Sequence, residues 1–269
     1  MYDFKYVKKR LTKIWVTIGA GISTLVVATF VIVSFLGRFV GTFTIKLEAG
    51  TIALTMSEKH DFENPTTYLR INRLPTFNEC EYATLVERVG DGELDNDETS
   101  YLHGAKYDRD GVTVRSLNYF KYTFYVKNVG DVPCSYDFKL NIIDSKSDNG
   151  KLVEDTVRFM IYDNFYEEGI TDTHNKTVYA KESLTSHIDE DGKVSYRERI
   201  STDKYGYAEP FESNSVITTL YQDNFQIGQI KRYTIVMWLE GNDPESNRQT
   251  DAPKNARLKI GVEINAYEI

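Results

Sequence analysis

The chain has 269 residues, of which 41% are hydrophobic and 13% aromatic, and its formal net charge is −8. This apolar content is too high for a disordered chain and sufficient for a packed core. The 19 tyrosines and 14 phenylalanines favour β structure, because strands place an aromatic ring on a half-buried surface and leave a tyrosine hydroxyl within reach of water.

The N-terminal segment differs from the rest of the chain. Residues 1–13 form a basic tail that contains Lys8, Lys9, Arg10 and Lys13, and residues 14–37 carry no charge. As a helix these 24 residues would extend about 36 Å, enough to cross a hydrocarbon core of about 30 Å. The sequence therefore predicts a single transmembrane helix or a long signal-anchor.

The positions of the basic residues predict the orientation of this segment. Five of the six basic residues in 1–38 precede the apolar run and only Arg38 lies directly after it, so the positive-inside rule places the N-terminus in the cytoplasm and the following domain outside the cell. A cleaved signal peptide is the competing interpretation, in which the domain is secreted. The apolar run is longer than a usual signal peptide core, and no clear cleavage site ends it, which favours a retained anchor.

Charge and cysteine content restrict the partners of the exported part. Residues 1–38 hold six basic and one acidic residue, which leaves 26 basic and 39 acidic residues after them, a net charge of −13. Such a domain repels nucleic acid. Cys80 and Cys134 both fall in this part, where they either pair as a disulfide or remain two buried thiols. Two cysteines do not provide a cysteine-based zinc site.

Strand patterns begin immediately after the apolar segment. Phe43, Ile45 and Leu47 alternate with polar residues, Gly50 follows, and a second alternating run contains Ile52, Leu54 and Met56. Two short strands are therefore predicted on either side of Gly50. Between them and the next strands, "FNECEYATLVERVG" has Asn78 and Glu81 at capping-box spacing and is predicted to form a short helix with Leu85, Val86 and Val89 on its apolar face.

The segment "YTFYVKNVGDVPCSYDFKL" predicts two strands and a turn. Phe120, Tyr122, Phe124 and Val126 share one face of the first strand, and Tyr136, Phe138, Leu140 and Ile142 share one face of the second. Asn128 and Gly130 tolerate positive φ and Pro133 fixes its own φ, so the connection is predicted to be a hairpin turn.

Further alternating runs extend to the C-terminus. They are "TVRFMIY", with Val157, Phe159 and Ile161 inward, "KTVYAK", the "DEDG" hairpin between "SHI" and "VSYRERI", "KRYTIVMWLEG", with Tyr233, Ile235, Met237 and Leu239 on one face, and "RLKIGVEINAYEI", with Leu258, Ile260, Val262 and Ile264 on one face. Eight or more strands with no long helix predict that residues 43–269 form an all-β domain, an antiparallel β-sandwich. Residues 89–110 and 196–215 are rich in turn residues and are predicted to be surface loops.

No local motif indicates catalysis. The four histidines are scattered singly, and neither the H-E-x-x-H metalloprotease motif nor the G-x-S-x-G serine motif occurs. No cofactor is expected. Calcium is a possible ligand, because "DGELDNDE", "DRDG" and "DEDG" concentrate carboxylates in turns, although none has EF-hand spacing and such residues are common in any exposed turn.

Three segments resemble the TasA and camelysin group of surface proteins of Gram-positive bacteria. They are "FTIKLEAGTIALTMSE", "YTFYVKNVGDVPCSYDFKL" and "YTIVMWLEGNDPE", in that order along the chain. The resemblance covers about half of the exported part. Ala49, Gly50, Ile52 and Leu54 fit an Ala-Gly-hydrophobic-x-Leu pattern, and Lys127 to Gly130 fit the family's "x-N-x-G" turn.

This resemblance implies a jelly-roll-like fold and a non-enzymatic role in a biofilm matrix or fibre, where a processed N-terminal strand completes a neighbour's sheet. The assembly strand would then contain Phe43, Ile45 and Leu47, with Gly50 behind it. Retention of the anchor favours instead a tethered adhesion or scaffold domain that binds another surface protein or ligand. A secreted hydrolase is the third hypothesis, since camelysin has been described as a metalloprotease.

Overall fold

The computed structural model describes residues 39–47, 52–72, 79–96, 119–167, 174–189, 191–243 and 253–268. The basic tail, the apolar segment 14–37 and Gly50 lie outside these residues. Within the described ranges, no helix is long and apolar enough to span a membrane.

The described residues are mostly β, as the sequence predicted. The strands are β1 (Phe39–Leu47), β2 (Leu54–Ser57), β3 (Tyr68–Asn72), β4 (Phe120–Asn128), β5 (Cys134–Lys146), β6 (Val157–Phe165), β7 (Lys176–Ala180), β8 (His187–Ile188), β9 (Val194–Ser195), β10 (Glu209–Pro210), β11 (Val216–Phe225), β12 (Ile230–Leu239) and β13 (Arg257–Glu268). The helical elements are α1 (Tyr82–Thr84), a π-helical turn (Leu85–Val89), α2 (Asp91–Leu94) and two 3₁₀ turns (Val153–Asp155 and Asp203–Tyr205).

Two large sheets and one small sheet contain these strands. The five-stranded sheet has the order β11-β5-β13-β1-β3, and the six-stranded sheet has the order β10-β7-β6-β12-β4-β2. Strands β8 and β9 form a separate two-stranded sheet. The prediction of purely antiparallel pairing was wrong in two places, because β1 runs parallel to β13 and β10 parallel to β7. Neither pair is joined by a hairpin, so no short connection forces them to be antiparallel.

Side chains from both large sheets form one core. It contains the inward residues predicted on β4, β5, β6, β12 and β13, and the rings of Phe138 and Tyr233 stack across it with centroids 4.4 Å apart. The two-residue period of a strand explains why these faces were predictable: alternate residues point to the same side.

The predicted hairpin around Asn128 and Gly130 is a connection between sheets. β4 belongs to the six-stranded sheet and β5 to the five-stranded sheet, so the two strands do not pair with each other. The chain therefore turns over the edge of the core, and the apolar faces of both strands meet inside it. Neither Asn128 nor Gly130 adopts a positive φ, so the reason given for these residue types was also wrong.

A second layer covers the outer face of the six-stranded sheet. Residues 82–94 and parts of 196–211 pack on Met160, Tyr162, Val236 and Trp238, which point away from the main core. The predicted surface loops thus contain buried residues, including Leu94 and Ala208. The expected helical face of Leu85, Val86 and Val89 does pack here, but Glu81 is the N-cap of α1 and makes no side-chain capping bond.

Candidate assembly site

Strand β1 lies inside the five-stranded sheet. It pairs in parallel with β13, from Gly41 opposite Ile260 to Leu47 opposite Ala266, and antiparallel with β3 on its other side. The assembly strand predicted at Phe43, Ile45 and Leu47 is therefore not an edge strand of this sheet. An interior strand uses the hydrogen-bonding groups of both its edges, so β1 contributes to holding β13 and β3 in one sheet.

Phe43 anchors β1 to the opposite sheet. Its side chain is fully buried, and its ring centroid lies 4.9 Å from that of Tyr122 and 5.1 Å from that of Phe124, both on β4. Ile45 is partly buried against the same core. The side chain of Leu47 and the whole of Gly50 are outside the described residues.

The outward face of β1 is polar. Thr44 lies in register between Glu263 of β13 and Tyr68 of β3. Beyond the regular pairing, the Ile45 amide donates a hydrogen bond of 3.2 Å to the carbonyl of Thr67. β1 is therefore held in its sheet by main-chain pairing on two sides and by one aromatic side chain that faces inward.

Asn128 fastens the turn that leads from β4 to β5. Its side chain is buried, and its amide nitrogen donates to the carbonyls of Val132 and Phe225, at 3.0 and 2.9 Å. Its amide oxygen accepts a hydrogen bond of 2.9 Å from the Gly130 amide. Asn128 thus ties the turn to the end of β11. Sequence analysis found the residue but not this function, which depends on a strand 97 residues away.

A buried carboxylate lies on the outer face of the six-stranded sheet, where side chains of β6 and β12 contact it. Asp95 has no exposed side-chain surface. Its Oδ2 accepts hydrogen bonds from Arg232 at 2.7 Å, His174 at 3.0 Å and Asn164 at 3.1 Å. Its Oδ1 accepts one from the Thr234 hydroxyl at 3.1 Å. Four donors therefore occupy the acceptor positions that a substrate or a metal ion would need.

Asp91, one turn before Asp95, binds a second pair of donors. The Tyr162 hydroxyl donates to its Oδ1 at 2.7 Å, and Lys176 Nζ lies 2.5 Å from the same atom. Burial by itself would raise the pKa of Asp91, but the hydrogen bonds from Lys176 and Tyr162 outweigh it and lower this pKa below its ordinary value. Burial, followed by the bond to Asp91, raises the pKa of Tyr162.

The carboxylates named in the calcium hypothesis are not brought together as a ligand set. Asp91 and Asp95 bind protein cations, and Asp189 accepts hydrogen bonds from the amides of its own turn, those of Asp191 and Lys193. The "DRDG" turn lies outside the described residues. Across the ranges that the structure describes, no group of three or more metal-ligating side chains is present.

The histidines occupy separate environments. His174 bonds to Asp95, His187 stacks on Tyr207, and His60 packs against the rings of Tyr125 and Tyr166. His103 lies outside the described residues. The three described histidines therefore lie in different environments and do not contact one another.

Two further buried charges fasten the covering layer. Glu240 accepts hydrogen bonds from the Tyr82 amide, the Trp238 indole and the Ser201 hydroxyl. Arg158 donates to Asp243 at 2.7 Å. Apart from the Trp238–Glu240 bond, these contacts join residues far apart in the sequence, and no local pattern predicted them.

Cys80 and Cys134 are both buried and are not joined by a disulfide. Cys134 belongs to the core between the large sheets, and Cys80 belongs to the cluster on the outer face of the six-stranded sheet. The sheet separates the two thiols, so the disulfide alternative does not apply to this structure. Burial raises the pKa of Cys134, which further lowers its reactivity.

No protein-family model matches this chain, and a comparison with curated proteins also finds no match.

Proposed function

We propose that this chain is a non-enzymatic structural protein of the cell surface. Residues 14–37 would tether or export a β-sandwich of jelly-roll type, and the domain would take part in matrix, fibre or surface assembly. The proposed topology places the N-terminus in the cytoplasm and residues 43–269 outside the cell, with secretion after cleavage as the alternative. The basic residues before the apolar segment support this orientation.

A β-sandwich is the simplest arrangement in which two large sheets share one core. Residues of the five-stranded and six-stranded sheets belong to one buried cluster, and aromatic side chains of the two sheets contact each other. Alternation leaves a polar outer face on β1 and β13, as expected for a sheet with one solvent-facing side.

The position of β1 is the observation that carries the assembly proposal. β1 is the first described strand after the apolar segment, and it lies between β13 and β3 without a hairpin to either. A β1 strand from another copy would offer the same main-chain bonds and the same Phe43 side chain in the same register. Exchange of identical strands between copies can build closed rings or open fibres.

A tethered adhesion or scaffold domain is the second candidate function. It is supported by the pairing of β1 within its own chain. In this case the apolar segment would keep the domain at the membrane, and β1 would stay in its own sheet. Partners would bind to another surface.

The absence of an enzymatic role is part of the proposal. Asp95 and His174 are the strongest acid and histidine pair among the described residues, but Asp95 is buried and its oxygens are occupied by four protein donors. A general base needs a free acceptor within reach of substrate. This pair is better suited to holding the covering layer in place.

The decisive experiment is the mass and N-terminal sequence of the protein recovered from the cell surface. Cleavage between about Gly37 and Phe43 would free β1 for exchange and favour fibres. A start at Met1 would contradict strand donation and favour the tethered domain. Replacement of Ile45 by Asp should abolish assembly or destabilise the domain, and a variant with the thermal midpoint and fibre yield of the wild type would refute the role of β1.

A further inference from the structure

Lys231 and Asp163 form an ion pair at one end of the main core. Strands β6 and β12 are neighbours in the six-stranded sheet, with Asp163 opposite Tyr233 and Lys231 opposite Phe165. Tyr233 belongs to the core between the large sheets, so Asp163 and Lys231, which lie on the same face, also point inward. Their side chains meet diagonally across the strand pair, with Lys231 Nζ 2.7 Å from Asp163 Oδ1.

The surroundings of Lys231 are unusual for a lysine. Its side chain is only 8% exposed. Its ammonium nitrogen lies 5.0 Å from the centre of the Phe165 ring and 5.8 Å from that of the Tyr233 ring. It donates a hydrogen bond of 2.6 Å to the amide oxygen of Gln222 on β11. A site of low polarity penalises a charged ammonium and carboxylate relative to the neutral amine and acid.

The contact also differs from an ordinary ion pair in its geometry. Asp163 Oδ1 is buried and accepts no hydrogen bond from any described residue, although Lys231 Nζ lies so close to it. In the Lys181–Asp155 pair the same two atoms are also 2.7 Å apart, but they form an aligned hydrogen bond. Hydrogen-bond donors approach a carboxylate oxygen near the carboxylate plane, whereas a nucleophile approaches the carbon from outside this plane. The misalignment of Lys231 and Asp163 therefore suits attack on the carboxyl carbon.

We propose that Lys231 and Asp163 react to form an intramolecular isopeptide bond between β12 and β6. The ammonium transfers one proton to the carboxylate, and the neutral amine then attacks the carboxyl carbon. A bond forms between Lys231 Nζ and Asp163 Cγ, and the bond from Cγ to one oxygen breaks. That oxygen leaves as water, with one proton from the acid and one from the nitrogen. Ammonium and carboxylate thus become a secondary amide and water, and no co-reactant is needed.

The fold supplies the proximity that this reaction requires. Pairing of β6 with β12 holds the amine and the carboxyl group in contact, which replaces an encounter between separate molecules. The bond closes a loop from residue 163 to residue 231, which contains β7 to β11. Such a cross-link restricts the unfolded chain and so increases resistance to unfolding. β1 lies outside this loop, so the inference does not rest on the proposed function.

Peptide mapping of the whole protein tests the proposal. The protein recovered from expressing cells is denatured and digested with trypsin, which does not cleave after an acylated lysine. The expected product is a branched peptide that joins residues 159–176 to residues 205–232 and is lighter than their sum by one water molecule. Recovery of peptides 159–176 and 205–231 as separate species, with no branched product, overturns the proposal.

Lys231→Arg shows whether the bond belongs to this lysine. Arginine keeps the positive charge but does not form this amide, so the variant should lack the branched peptide and have a lower thermal midpoint than the wild type. Lys181→Arg is the matched control and should retain the branched peptide. A succinimide at Asp191–Gly192 also releases water, but it joins no peptides. A cross-link between the two segments that persists in Lys231→Arg would contradict the assignment.

Discussion

Phe43 of β1 and Tyr122 of β4 belong to different sheets, and their ring centroids are 4.9 Å apart. This contact links the strand nearest to the apolar segment with the central part of the core. The stability of the domain therefore depends on β1, whether its own chain or another copy supplies the strand.

Phe43→Ala is expected to lower the free energy of unfolding by about 3–5 kcal/mol, because it removes a fully buried ring and leaves a cavity. Thr44→Ala, on the polar face of the same strand, is the control and should have a much smaller effect. Urea unfolding at two protein concentrations measures both variants. A midpoint that rises with concentration indicates that another copy supplies β1, whereas an intrachain strand gives a constant midpoint.

Asn128→Ala should destabilise the domain by about 1–3 kcal/mol, because the buried carbonyls of Val132 and Phe225 lose their donor. Gly130→Ala should destabilise the domain less than Asn128→Ala, because Gly130 does not adopt a positive φ. Thermal unfolding of the two variants separates the functions of the residues. A larger loss for Gly130→Ala would show that backbone freedom matters more at this turn than the asparagine side chain.

The outcome at this turn shows how far the sequence could predict the fold. Inward faces were correct because alternation is local, as for Ile161 on β6 and Ile235 on β12. The pairing of β4 with β5 was predicted wrongly, because the residues that suit a hairpin also suit a connection between two sheets. The unbroken apolar runs "FMIY" and "IVMWL" indicate burial on both faces of β6 and β12, which the prediction of a single inward face missed. Asp95 and Arg232 are 137 residues apart, and no spacing pattern joins them.

Both cysteines should be unreactive in the folded protein. Iodoacetamide is expected to modify neither Cys80 nor Cys134 in native conditions and to modify both after denaturation, because both are buried thiols that form no disulfide. Intact mass spectrometry counts the modifications. A native mass lower by two hydrogens, with no alkylation after denaturation, would instead demonstrate a disulfide.

Asp91→Asn should reduce stability near neutral pH and lose its effect in acid. The folded-state pKa of Asp91 is lower than its ordinary pKa of 3.8. The ionised carboxylate therefore contributes its full stability at pH values above 3.8, and this contribution disappears as the pH falls through the folded-state pKa. Unfolding free energies of wild type and variant, measured from pH 7 downward, should converge at acidic pH. A constant difference would show that packing, and not ionisation, explains the loss.

Asp95→Asn is expected to be the most destabilising of the charge substitutions. The variant leaves the buried Arg232 guanidinium without its counter-charge and places an amide against donors from His174 and Asn164, which should cost about 3–5 kcal/mol. Glu63→Gln is the control, because it breaks an ion pair with Lys59 in which the two side chains are 59% and 63% exposed, and it should change stability much less. Urea unfolding compares the two variants at one pH. If both variants lose the same small amount of unfolding free energy, the hydrogen bonds of Asp95 do not hold the covering layer on the sheet.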